Sequence, residues 1–206
     1  MLKTNIDNIA NPSSGLIIIG ILKGYIEHPK SFFIKTILTF KKFKKSIEMD
    51  LPKEFINSSG LIAWLYIRLK KEVGKDKAFE IIRATILCSG LAVQQANFRN
   101  VEAERTFKNL VKYQKRVKNE GTTKLNKMEI IEETESKYVY KVTKCMFYEF
   151  FKYLKVPELT TIMCSIDNAI FNTYSPEKIT FHRDGINNRM VDGARECMFV
   201  IENNVK

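Results

Sequence analysis

Between residues 31 and 49 the apolar positions Phe33, Ile34, Ile37, Leu38 and Phe40 recur at helical spacing, with lysines on the other face. This predicts an amphipathic helix. Asp50-Leu51-Pro52 ends it, because the residue before a proline is pushed out of the α region. Ser58 or Ser59 is placed to cap a second helix over 61–73, which Gly74 stops. Asp76 opens a third helix with Ala78, Ile81, Ile82 and Ile86 along one side, and a fourth is expected over 101–118. The apolar run 16–22 falls far short of the roughly 20 residues of a membrane span, so it reads as a buried helix or strand.

The period then changes. Residues 128–133 and 137–142 read as two strands joined by a polar turn at Glu135 and Ser136. Tyr138, Tyr140 and Val142 alternate with Val139, Lys141 and Thr143, a period of two. Residues 145–154 read as an aromatic-rich helix with an inward stripe of Phe147, Phe150, Phe151 and Leu154, leaving Tyr148 and Glu149 off it. Pro157 sits at the first turn of a further helix over 158–171. Strands follow at 178–183 and 196–202. Between them lies a glycine- and asparagine-bearing loop, 184–194, read as a flexible rim or lid. The fold class is therefore α+β: N-terminal helices, then an antiparallel sheet with helices packed on one face. Residues 1–206 are expected to form a single domain, with 1–120 mainly helical and 121–206 carrying the sheet.

Composition narrows the class. A hydrophobic share of 45% and a charged share of 28% are globular values. The start of the chain, polar to about residue 14, has no signal-peptide pattern. Cys88, Cys145, Cys164 and Cys197 form no CxxC pair. Together these predict a cytoplasmic protein with reduced thiols. The formal charge of +11 is mostly lysine, in clusters such as Lys41, Lys42, Lys44 and Lys45. It reads as a solvated face with a mild positive field that favours anionic small molecules. No nucleic-acid motif accompanies it, so neither nucleic acid nor membrane is expected as a partner. Association into a homo-oligomer stays open.

The segments KCMFYEFFKYL, VPEL, MCSIDNAIF, YSPEKITFHRDG and DGARECMFVIE, in that order between residues 144 and 202, resemble the L-2-amino-thiazoline-4-carboxylate hydrolase family. The resemblance covers the C-terminal third. It implies hydrolytic opening of a 2-aminothiazoline ring to an N-carbamoyl-cysteine-type product. A non-catalytic small-molecule-binding or sensor domain with the same pocket is the alternative.

Opening such a ring needs a nucleophile at the amidine carbon C2, a base to activate it, an acid for the leaving group and a cation for the C4 carboxylate. Cys164, Asp167 and Asn168 lie at i, i+3 and i+4 on the 158–171 helix and so share a face. Cys164 either attacks C2 or lines the pocket as a small hydrophobe. Asp167 either serves as base and amidinium partner or, with Asn168, clamps helix to strand. His182 has the titration range of a general acid or base. Arg183 suits a substrate carboxylate through paired hydrogen bonds, or else pairs with Glu149 or Glu158. Tyr148 and Glu149 complete the candidate binding set. The cysteines and His182 lack the close ligand pairs of a structural zinc site, so neither metal nor cofactor is expected.

Overall fold

The computed structural model describes residues 14–101, 104–183 and 189–205. Five helices come first: α1 (Ser14–Leu22), α2 (Pro29–Lys45), α3 (Lys53–Val73), α4 (Lys75–Val101) and α5 (Phe107–Val117). Strands β1 (Lys127–Glu133) and β2 (Lys137–Lys144) follow, then helices α6 (Met146–Tyr153) and α7 (Leu159–Tyr174). Strands β3 (Ile179–His182) and β4 (Cys197–Asn203) end the chain. The sheet runs in the order β1-β2-β4-β3 with every pairing antiparallel. This is the α+β arrangement. The early readings of residues 1–13 and of loop positions 184–188 lie outside the described residues.

Several boundaries differ from expectation for identifiable reasons. Helix α3 begins directly after Pro52, which adopts φ −53°, so Ser58 lies inside it and turns its hydroxyl back to the Glu54 carbonyl at 2.9 Å. Neither serine caps anything. Gly74 ends α3 with φ +84°, a conformation costly for residues with a Cβ. Helix α5 begins at Phe107, not near Val101, and Thr106 caps it: the Thr106 hydroxyl accepts the Asn109 N–H at 3.2 Å. In α2 the aliphatic residues taken as its inward stripe point out, with Ile34 57% and Leu38 70% exposed. The helix instead buries Phe32 and Thr36 and stacks Phe43 on Trp64, ring centroids 4.6 Å apart. Aromatic rings bury more surface than the aliphatic set and win the inward face.

The two faces of the sheet differ sharply, as strand alternation demands. On the inner face Tyr140 of β2 stacks on Phe199 of β4 at 4.6 Å, and Phe181 of β3 packs on Phe171 of α7. On the outer face Lys137 pairs with Glu202, and Lys141 with Glu196 and Glu129. One hydrophobic cluster runs from Ile18 to Ile201 and includes residues of all seven helices and of β2, β3 and β4. Helix α4 crosses α7 closely at Gly90, where an added Cβ would sit 2.6 Å from Cδ1 of Ile166. Among the described residues no helix is long and apolar enough to cross a membrane.

Candidate active site

Between the inner sheet face and the helices lies a cavity of about 470 Å³. The cavity draws on both halves of the chain. Helices α3, α4 and α5 supply Ile62, Ile86 and Val117; the later half supplies Tyr140, Phe199 and the inward stripe of α7. That stripe runs through Thr160, Met163, Cys164, Asp167 and Phe171, the i, i+3, i+4, i+7 spacing of one helical face.

The polar centre of the cavity is the pair Asp167 and Arg183. Nη1 of Arg183 lies 3.6 Å from Oδ2 of Asp167 and donates to the Cys164 carbonyl at 3.3 Å. The guanidinium carbon sits 4.2 Å from the centre of the Phe199 ring, a cation–π contact. The Arg183 side chain is only 8% exposed. Its Nε has no hydrogen-bond partner among the described residues. A buried guanidinium N–H left unpaired is costly.

Asp167 retains 44% of its side-chain surface although protein surrounds it. That surface faces the cavity, which the residue lines. Burial pushes its carboxyl up to about 6, against the opposing pull of Arg183. Burial would weaken the hold of Arg183 on its proton, but the neighbouring Asp167 carboxylate favours the charged form and Arg183 stays a cation. Burial also drives the Cys164 thiol up to about 12 and raises that of Cys145. At neutral pH Cys164 is therefore a neutral thiol, the weak form of a sulfur nucleophile.

The structure brings together Cys164, Asp167, Arg183 and Tyr148, all of which line the cavity. It does not bring His182 there. His182 points to the outer face of the sheet, half-exposed, with Nε2 at 3.1 Å from Oε2 of Glu202. Adjacent strand residues face opposite sides, so Arg183 inside puts His182 outside. Asn168 lies past the edge of the α7 stripe and is absent from the cavity wall; its Oδ1 is buried without a partner among the described residues. Glu149 is half-buried and also off the wall. Neither Glu149 nor Glu158 holds Arg183: Glu158 instead accepts the Tyr66 hydroxyl at 2.8 Å.

Many wall residues went unassigned from sequence, among them Thr160, Cys145 and Cys197. Thr160, 2% exposed, carries a hydroxyl without a partner among the described residues. Its position four residues before Cys164 was the available signal. Cys145 and Cys197 also line the cavity. They come from a helix cap and a strand, and no local spacing links them. Among the described residues no three His, Cys, Asp or Glu side chains group so as to hold a metal ion.

The family model for L-2-amino-thiazoline-4-carboxylic acid hydrolase matches residues 54–201. The chain belongs to that family. The match starts in the first turn of α3 and ends in β4, so it takes in every element that walls the cavity and reaches well beyond the C-terminal third. Helices α1 and α2 lie outside it. No curated protein and no solved structure matches the chain.

Proposed function

We propose that the chain hydrolyses a small cyclic amidine of the L-2-amino-thiazoline-4-carboxylate type, with water as the nucleophile. The observation that carries this reading is the Asp167–Arg183 pair: opposite charges 3.6 Å apart on the wall of one cavity. A zwitterion with a carboxylate near its amidine carbon complements such a pair. Arg183, a cavity-lining cation, anchors the carboxylate through its guanidinium. Asp167, ionised above about pH 6, takes a proton from water as the oxygen adds to C2. The ring nitrogen of the amidinium, already protonated, collects the displaced electron pair, giving a tetrahedral carbon. The carbonyl then forms as the added hydroxyl gives up its proton to solvent, the C2–S bond breaks, and protonated Asp167 returns its proton to the leaving sulfur. The net change is addition of one water and release of one proton to solvent, with a free thiol and a ureido group as products.

Water rather than sulfur is favoured as the nucleophile because Cys164, with its thiol at about 12, is protonated at neutral pH. In this reading Cys164 and Tyr148 are wall, and His182, Asn168 and Glu149 act outside the reaction.

The test is a thiol-release assay on L-2-amino-thiazoline-4-carboxylate with the full chain and no added metal. Release well above the uncatalysed rate is expected, and Asp167→Asn should abolish most of it. A wild-type rate equal to background, with the ligand still raising the melting temperature, would transfer the site to the binding-module alternative.

A further inference from the structure

The cavity is too large for the ring alone. At about 470 Å³ it falls in the range that encloses a drug-sized ligand. A single small heterocycle with its carboxylate fills only a fraction of that volume. Its charged groups are met at one place, the Asp167–Arg183 pair. Beside Ser58, Ser59, Gln114 and Asn126, the remaining wall carries hydrocarbon and thioether: Ile62 of α3, Ile86 of α4, Val117 of α5, Met128 of β1, Met163 and Phe171 of α7. These side chains come from five elements, and three of those elements belong to the helical half of the chain. A wall of this kind gains nothing from a compact zwitterion but gains from covering hydrocarbon, at a roughly constant increment per methylene.

We propose that the substrate is a zwitterion with an apolar arm: a carboxylate at Arg183, an amidinium at Asp167, and a hydrocarbon arm of several carbons lodged between Ile62, Ile86, Val117 and Met163. The zwitterionic head rests on the hydrolase reading; the arm rests on the cavity wall alone. The Asp167–Arg183 pair marks the polar end. Methionine at positions 128 and 163 lets the apolar end adapt to arms of different shape.

The test uses 2-aminoalkanoates as probes, since each carries the paired charges and differs only in its arm. Alanine, norvaline, 2-aminooctanoate and 2-aminodecanoate are titrated calorimetrically into the full chain at pH 7.5. Affinity should rise roughly threefold to fourfold per methylene at a stoichiometry of one. Decanoate and decylamine should each bind at least about tenfold more weakly than 2-aminodecanoate. Ile62→Trp and, independently, Met163→Phe should each cut the preference for 2-aminodecanoate over alanine by about tenfold or more. A flat series overturns the arm. Equal binding of the acid, the amine and the amino acid overturns the paired head. An unchanged preference in a folded variant puts the binding elsewhere and overturns the proposal. Ring opening of L-2-amino-thiazoline-4-carboxylate is measured on the same preparation. Turnover with a flat series leaves the hydrolase reading standing and removes the arm; a steep series without turnover does the reverse.

Discussion

His182 and Arg183 are neighbours in the chain, yet one pairs with Glu202 on the outer face of the sheet and the other reaches Asp167 in the cavity. The peptide bond between them separates a surface hydrogen bond from the centre of the site. The half-exposed His182–Glu202 contact should contribute less than about 1 kcal/mol. His182→Ala is therefore expected to keep kcat/KM within about twofold and to lower unfolding stability by no more than that amount. Steady-state kinetics beside urea denaturation would check both. A loss of a hundredfold or more in kcat would return His182 to the chemistry.

Asp167 should set the acid limb of the pH profile. Its carboxyl is raised from 3.8 to about 6, and only the ionised form can take a proton from water. Activity should therefore fall as pH drops through about 6, and Asp167→Asn should lose about 10²–10⁴ in kcat along with that limb. The stability effect has the opposite sense. A raised folded-state value means the folded chain holds this proton more tightly than the unfolded chain. The contribution of Asp167 to stability thus declines as pH rises from about 3.8 to about 6 and is constant above. Melting curves of wild type and Asp167→Asn over that interval should differ in slope, the variant being flatter.

Arg183 should be read through KM. Arg183→Lys keeps a cation beside Asp167 but loses the planar donor set and the stacking on Phe199. KM for an anionic substrate should rise by about tenfold or more, the value of a hydrogen bond to a charged group. Arg183→Gln removes the cation altogether, and the acid limb should then move above pH 6, because Arg183 is the group that holds the Asp167 carboxyl down. A limb that stays in place would show that another group titrates.

Cys164→Ala should remain active within about tenfold, since a thiol with a value near 12 is protonated across the working range. Iodoacetamide should label exposed Cys88 well before buried Cys164. Peptide mapping after timed alkylation would show the order. Rapid labelling of Cys164, or a loss of several orders of magnitude in the alanine variant, would restore sulfur as the nucleophile.

Local pattern carried the strands and the end of α3. Tyr138, Tyr140 and Val142 lie on the inner sheet face as their alternation requires, and Gly74 stops its helix. What local pattern missed was decided by competition between elements. Ile34 and Leu38 of α2 form as good a stripe as Phe32 and Phe43, and only the presence of Trp64 across the interface selects the aromatic side. The α7 stripe was legible through Cys164 and Asp167. Asn168 drops out because it lies on the far side of Cys164 from Thr160 and Asp167. Strand alternation puts His182 and Arg183 on opposite faces, so both cannot face one cavity. The partnership of Arg183 with Asp167 rather than Glu149 or Glu158 spans a helix and a strand, and no spacing along the chain encodes it.

The cavity takes Ile62, Ile86 and Val117 from before Gly121, and Tyr140, Cys164 and Arg183 from after it. A nick near that glycine would leave two fragments, each holding an incomplete wall and an uncovered apolar face. Neither alone should retain ligand, and recovery on mixing would have to follow reassociation. The enclosure is thus a property of the intact polypeptide, and any change that loosens the grip of the helices on the sheet should weaken binding without touching a single polar group.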